Sequence, residues 1–274
     1  MQIAGVSKGR GATLNRPGRF ERLERKPVDD GWGSLAAVLA PLRATELSAD
    51  SSRSIIARNT SPDIPFDQSI NPYRGCEHGC IYCYARPTHH FLGLSAGLDF
   101  ETRIFIKHDA AELLKDALAR PGYRPTPLAL GSNTDPYQPV ERRLQVTRRI
   151  LEILADARHP VSIVTKSALV VRDLDLLVPM AREGLASVAV SLTTLDGDLA
   201  RRLEPRAAAP HRRLATMREL SSAGVPTSLS LAPVIPGLTD HEIERIVEAA
   251  VGAGATAASW ILLRLPHDVK ELFE

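Results

Sequence analysis

Hydrophobic and polar positions divide the chain into two regimes. Residues 1–60 are rich in Arg, Gly and Ser and show weak periodicity, with Trp32 and the stretch 35–42 as the hints of packing. From about Ile70 the pattern changes. Short runs rich in leucine and β-branched residues recur at Pro127–Gly131, Val161–Thr165, Ser187–Leu192, Thr227–Val234 and Ala258–Leu263. Runs of this length, bounded by turn residues, read as buried strands. Each gap carries a helical pattern. In Glu141–Ala157, Leu144, Leu151 and Leu154 fall on one face and Arg142, Arg149 and Glu152 on the other. Thr239-Asp-His-Glu242 reads as a capping box opening a helix that Gly252 or Gly254 ends.

Strand–helix alternation predicts a parallel sheet. A further strand at Ser69–Pro72 brings the count to six β/α units, short of the eight that close a barrel. The expected fold is therefore α/β: an open, curved, partial (β/α)6 TIM-like barrel over 61–274, with a basic, largely irregular extension at 1–60 draped on it. The chain stops at Val269-Lys-Glu-Leu-Phe-Glu274, inside a helical pattern with no cap, so a truncated C-terminus is expected.

In parallel β/α folds, chemistry gathers at the C-terminal ends of the strands. The first predicted strand runs into Asn71-Pro-Tyr-Arg-Gly-Cys76-Glu-His-Gly-Cys80-Ile-Tyr-Cys83-Tyr84, which holds all three cysteines of the chain at C-x3-C-x2-C spacing. Three thiolates in one loop can hold three irons of a [4Fe–4S] cluster and leave the fourth open to a small molecule. Gly75 and Gly79 let such a loop close tightly, and Arg74 can offset the charge of a thiolate-bound cluster. A disulfide framework fits poorly, because the count is odd and the chain long. Structural zinc stays open, with His78, His89 or His90 as a fourth ligand, although zinc sites usually draw on two separated ligand pairs. The other predicted strands end at Gly131–Asp135, Thr165–Ser167, Ser191–Thr194 and Pro233–Pro236.

Composition narrows the class. Apolar residues make up 44% of the 274, ordinary for a globular core, and no window approaches the length of a membrane span. Met1–Lys8 lacks the apolar stretch of a signal peptide, and with cluster-type cysteines this leads us to expect a cytoplasmic protein. Net charge is +2, yet residues 1–26 hold seven cations (Lys8, Arg10, Arg16, Arg19, Arg22, Arg25, Lys26) against Glu21 and Glu24, an excess of five. Such an arm can contact nucleic acid, be simply solvated, or fold over the body as a lid.

The cysteine spacing, with an aromatic before the last cysteine, resembles the signature of radical S-adenosylmethionine enzymes. Asn71–Cys76, Tyr84-Ala-Arg-Pro-Thr-His89 and Gly131-Ser-Asn-Thr-Asp-Pro-Tyr-Gln-Pro139 resemble a narrower bacterial group related to spore photoproduct lyase, often called DNA-repair photolyase-like. The resemblance implies a [4Fe–4S] cluster on Cys76, Cys80 and Cys83, and S-adenosylmethionine on its open iron. It also implies a one-electron reductant such as flavodoxin or ferredoxin, and a 5′-deoxyadenosyl radical that abstracts hydrogen from a substrate, nucleic acid among the candidates. By the same resemblance Asn133 or Asp135 accepts from the cofactor's amino group, Lys166 pairs with its carboxylate, Ser191 reaches the ribose, and Tyr82 and Val234 flank the adenine. Tyr84, with Tyr82, matches tyrosines that resemble a radical relay, which makes Tyr84 the catalytic candidate. The relay's cysteine hydrogen donor has no counterpart, because all three cysteines belong to the cluster.

Plainer readings stand beside these. Asp135 before Pro136 is a natural turn starter, Lys166 can be a surface lysine, and Ser191 and Thr193 can be strand-end hydrogen bonders. His89 and His90 suit structural roles. Glu204-Pro-Arg206 with Arg212 and Arg213 can bind a phosphate or carboxylate, or form a solvated helix face. The competing class is a non-enzymatic iron–sulfur or zinc module acting as sensor or scaffold.

Overall fold

The computed structural model describes residues 10–16, 18–20, 44–62 and 64–274. Trp32, the stretch 35–42 and the cations Lys8, Arg22, Arg25 and Lys26 lie outside the described residues. Among the described residues there are ten strands: β1 (Glu46–Ala49), β2 (Ile56–Arg58), β3 (Gln68–Ile70), β4 (Tyr73–Arg74), β5 (Arg103–Ile106), β6 (Leu128–Leu130), β7 (Val161–Thr165), β8 (Ala186–Ser191), β9 (Thr227–Val234) and β10 (Ala257–Leu262). The helices in chain order are α1 (Leu98–Thr102), α2 (Ala110–Leu118), α3 (Glu141–Leu144), α4 (Val146–Asp156), α5 (Leu174–Arg182), α6 (Gly197–Leu203), α7 (Pro210–Ser222), α8 (Ile243–Gly252) and α9 (Val269–Phe273).

The six expected parallel strands form one sheet in the order β10-β9-β8-β7-β6-β3, and β2 adds an antiparallel edge beside β3. From β6 to β10 consecutive strands lie next to each other, as short β/α crossovers favour, while β4 and β5 intervene in the chain between the neighbours β3 and β6. The sheet stays open: β2 and β10 are its two edges. Along β7 and β8 buried and half-buried residues alternate, so one face of each points into the core. That core joins Ile70, Leu130, Ile163, Val188, Val190 and Leu229 to the buried faces of α4, α5, α7 and α8. The stretch 46–58, within the segment expected to be largely irregular, supplies β1 and β2. β1 pairs with β5, and β5 with β4, in a small sheet that braces the start of the cysteine loop. β10 is exposed along its whole length, including Trp260, Ile261 and Leu262. No helix among the described residues is long and apolar enough to cross a membrane.

Two local expectations are corrected. The helix expected over 141–157 breaks at Gln145, whose φ of 53° is left-handed. The buried Glu141 carboxylate folds back to accept from Thr147 N at 3.1 Å and Arg148 N at 3.4 Å, capping α4 in place of a continuous helix. The capping box at Thr239–Glu242 does not form. The Thr239 hydroxyl accepts instead from Ile235 N at 2.9 Å, while the Glu242 carboxylate turns to the Thr194 hydroxyl and the Leu195 amide.

Candidate functional site

The cysteine loop leaves β4 and is pinned from several sides. Gly75 and Gly79 both have positive φ, 81° and 69°, and a side chain at either would collide with Phe100 O or the Glu101 carboxylate within 2.8 Å. Glycine is therefore required at both. Gln138, wholly buried, brackets Cys76: its amide donates to Gly75 O at 3.1 Å and its carbonyl accepts from Glu77 N at 2.9 Å. Arg86, also wholly buried, donates to Cys80 O at 2.8 Å, Gly79 O at 3.1 Å and the Glu101 carboxylate at 2.6 Å. Arg74, expected to balance the cluster's charge, instead pairs with Asp50 at 2.5 Å and donates to Ser52 at 3.0 Å. A cation beside a carboxylate is held there by charge-assisted bonds, so it is not available to the sulfurs.

Cys76 and Cys80 are buried and Cys83 half-buried, all as free thiols. Burial pushes each thiol up, and at Cys80 the Glu204 carboxylate adds to the effect. Lys166 and Arg213 act in the opposite direction at Cys80, as Arg86 and Lys166 do at Cys83. This donor set fits an anionic, thiolate-bound cluster: sulfur ligands in an apolar setting, ringed by buried cations, on a loop closed by two glycines. A single zinc ion fits less well. The histidines have other partners: His78 faces Asp135 at 3.3 Å, His89 bonds to Arg103 O at 3.0 Å and His90 faces Asp268 at 3.1 Å.

The strand ends converge beside this loop. Lys166, just past β7, donates to the Ser191 hydroxyl at 2.5 Å and to Ala232 O at 3.3 Å. Its ammonium lies 5.8 Å from the Tyr82 ring centroid and 3.6 Å from Glu204. Tyr82, between two cysteines, donates its hydroxyl to Glu204, whose carboxylate also takes Thr193 at 3.2 Å and Arg213. Burial works to raise the Glu204 carboxyl, but Arg213 and Lys166 outweigh it and hold it down to about 2. Burial and the Glu204 charge together push the Tyr82 phenol up, so it stays a neutral donor.

Of the residues predicted for the cofactor, Tyr82, Lys166 and Ser191 come together. Asp135 joins them by a different route. Its two oxygens accept from Thr165 Oγ1 at 2.7 Å, Lys166 N at 2.7 Å and Tyr137 N at 2.9 Å, so it fixes the backbone at the end of β7. Burial opposes its ionisation, yet His78 and these donors keep its carboxyl below the usual range. Asn133 is exposed, and its amide donates to Asn71 Oδ1 at 2.8 Å. Val234 is buried at the end of β9, next to Ile235, which packs with Cys80, Tyr82 and Leu203. Tyr84 stands on the rim, 57% exposed, with its hydroxyl donated to Ser132 O.

Of the readings of 204–213, the solvated face holds for Arg212 but not for Glu204 and Arg213. Glu204 and Arg213 form a buried ion pair, and Arg213 also donates to Ser191 O at 3.0 Å and Ala208 O at 2.7 Å. Arg206 pairs with Glu77 at 3.2 Å, while Arg212 is exposed. Arg213 shares the buried stripe of α7 with Thr216, Met217 and Leu220, a helical spacing that could have marked it as inward-facing, whereas Glu204, just past α6, gave no such signal. Gln138 and Arg86 lay inside the recognised motifs without an assigned task, and Glu101 carried no signal at all.

Comparison with known proteins agrees with this geometry. The chain matches the Radical SAM superfamily over residues 70–250. It is 36% identical over 258 residues to an uncharacterized protein of Mycobacterium tuberculosis, covering 90% of this chain and 76% of that one. An uncharacterized protein of Methanocaldococcus jannaschii is 30% identical over 175 residues, 63% of this chain and 62% of its own length. Among solved structures, a spore photoproduct lyase mutant with bound AdoMet and dinucleoside spore photoproduct superposes with a TM-score of 0.62 at 16% identity. The overlap covers 83% of this chain, which spans 64% of the lyase's length. This likeness shows the fold. The family match spans about two thirds of the chain and includes the cysteine loop and the strand ends gathered round it: the chain belongs to the radical SAM superfamily of enzymes.

Proposed function

We propose that this chain reductively cleaves S-adenosylmethionine at a [4Fe–4S] cluster held by Cys76, Cys80 and Cys83, drawing its electron from a reductant such as flavodoxin or ferredoxin. When bound, cluster and cofactor together supply a carbon radical able to abstract hydrogen from a substrate. The observation that carries this reading is the meeting of Lys166, Ser191 and the Tyr82 ring beside Cys80. Lys166 is the cation for the cofactor's carboxylate, Ser191 the partner for its ribose, and Tyr82 and Val234 the surfaces for its adenine. Asn133, on the rim, is the acceptor for the amino group, while Asp135 positions Lys166. Leu203, Ile235, Leu263 and Leu265 exclude water around Cys80 and Tyr82, which protects a reactive radical. Tyr84, exposed above the loop, faces the side from which a substrate arrives. In this reading the protein works in the reducing cytoplasm, where three cysteines stay as thiols.

A nucleic-acid substrate is favoured by one further observation. Arg19 stacks over Phe20 at 4.7 Å and Phe91 at 5.9 Å, and the two exposed phenyl rings lie 5.3 Å apart. Exposed aromatics with a stacked guanidinium suit an unpaired base. Of the other two described cations of the basic segment, Arg10 bonds to Glu101 O and Thr45, and Arg16 pairs with Glu271.

The test is anaerobic reconstitution followed by dithionite and S-adenosylmethionine. Release of 5′-deoxyadenosine is expected, with Lys166→Ala binding the cofactor at least about tenfold more weakly at unchanged iron content. Reconstituted protein that carries iron and sulfide yet releases no 5′-deoxyadenosine would refute the proposal.

A further inference from the structure

The segment Arg10–Asn15, part of the basic arm, runs directly along the cysteine loop. Gly11 N and Ala12 N donate to the two oxygens of Glu101 at 3.0 and 2.7 Å. Arg10 donates to Glu101 O at 2.9 Å and to the Thr45 hydroxyl at 3.2 Å, and Thr45 in turn donates to Glu77 inside the loop at 2.6 Å. Leu98 N donates to Leu14 O at 3.1 Å. Asn15 and Asp99 exchange two bonds of 3.0 Å. The fit at Gly11 admits no side chain: an added Cβ would lie 1.8 Å from Gly79 O and 2.9 Å from Ile81.

Glu101 is the hub, because it is wholly buried and its Oε1 accepts both Ala12 N and Arg86. Arg86 is the group that holds the Gly79 and Cys80 carbonyls. A buried carboxylate is stable only while its donors are in place. If the segment lifts, Glu101 loses two of them, water reaches the Glu101–Arg86 pair, and the loop carbonyls lose a fixed partner.

We infer that Arg10–Asn15 is a clamp on the cysteine loop, with Gly11 and Glu101 as positioning residues that fix the three sulfurs and control solvent access to them. The inference rests on the three thiols being cluster ligands, but the clamp can be tested without a cluster. The first measurement is the rate at which iodoacetamide alkylates Cys76, Cys80 and Cys83 in the reduced, metal-free full chain, followed by peptide mass spectrometry. Gly11→Val is expected to raise the rate at Cys76 and Cys80 by about tenfold or more with far-ultraviolet dichroism unchanged, since opening of the loop becomes a local event. Gly252→Ala, where a Cβ meets nothing within 4 Å, should leave it unchanged.

Asn15→Ala is the milder variant should Gly11→Val not fold, and a rise of about two- to fivefold is expected from the loss of its two bonds. In the wild-type chain, hydrogen exchange should show Gly11, Ala12 and the amides of residues 79–83 opening as one unit. In iron-loaded protein, a chelator should remove iron faster from the same variants. Wild-type alkylation rates in a folded Gly11→Val, or in Asn15→Ala with Gly11 and Ala12 exchanging freely, would overturn the inference. A clamp that behaves as described in a protein that never cleaves S-adenosylmethionine would sink only the proposed function.

Discussion

Arg213→Met removes one half of the ion pair beneath Tyr82 while keeping much of the volume. Glu204 then stays buried beside the Tyr82 and Thr193 hydroxyls, with Lys166, 3.6 Å away, as its remaining cation. The magnitude follows from the carboxyl. Its folded value of about 2 lies below an ordinary 4.5, a difference of 2.5 units. At about 1.4 kcal/mol per unit this corresponds to about 3 kcal/mol of stability, within the range of about 3–5 kcal/mol for breaking a buried pair. The sign follows from the depressed value. The contribution is fully present above the unfolded value of 4.5 and is lost as the pH falls through the folded value near 2. Without Arg213, the largest of the groups that hold the carboxyl down, Lys166 and the Tyr82 hydroxyl are left to oppose burial, and most of the contribution is lost at neutral pH. Urea denaturation of wild type and Arg213→Met at a series of pH values reads the difference. A gap of about 3 kcal/mol at pH 7, narrowing as the pH drops below about 5, is expected. A gap that is small at pH 7, or independent of pH, would show that Glu204 is not an ionised partner of Arg213.

Other outcomes are expected at the same site. Cys76→Ala, Cys80→Ala and Cys83→Ala should each abolish the brown colour and the complement of about four iron and four sulfide per chain expected of the reconstituted wild type, as metal and sulfide analysis would show. Gln138→Leu leaves Gly75 O and Glu77 N without partners at about 1–3 kcal/mol each, and should lower iron retention with the three cysteines intact, as metal analysis after gel filtration would show. Arg19→Ala and Phe91→Ala should each weaken binding of a fluorescent single-stranded oligonucleotide, Arg19→Ala also reducing its salt dependence; equal affinity in both variants and wild type would move the contact elsewhere.

What the sequence disclosed and what it concealed follow different physics. Four of the six parallel strands, β6 to β9, were legible because each is a short run rich in apolar residues whose burial leaves a mark, whereas β10 is apolar but exposed and β3 carries two polar residues. The cysteine loop was legible because metal chemistry demands particular atoms at particular spacings. Lys166 and Ser191 could be named because the ends of strands, once located, share one face of a parallel sheet. Glu204, Arg213, Gln138 and Arg86 belong to another category. Each is a polar residue made internal by one or two partners distant in the chain, Arg213 by Glu204 and the carbonyl of Ser191, Gln138 by the peptides on either side of Cys76. Little that is local distinguishes such a side chain from a solvated one, so the charges of 204–213 read as an anion-binding stretch or a solvated helix face. The same holds for Gly11, which in sequence is one glycine of a basic arm and in the fold is the point where that arm meets Gly79. The cysteines can be read from spacing, and Lys166 and Ser191 from strand ends together with a family resemblance. The residues that hold these groups still become visible only when the chain is folded, because their partners lie on other elements.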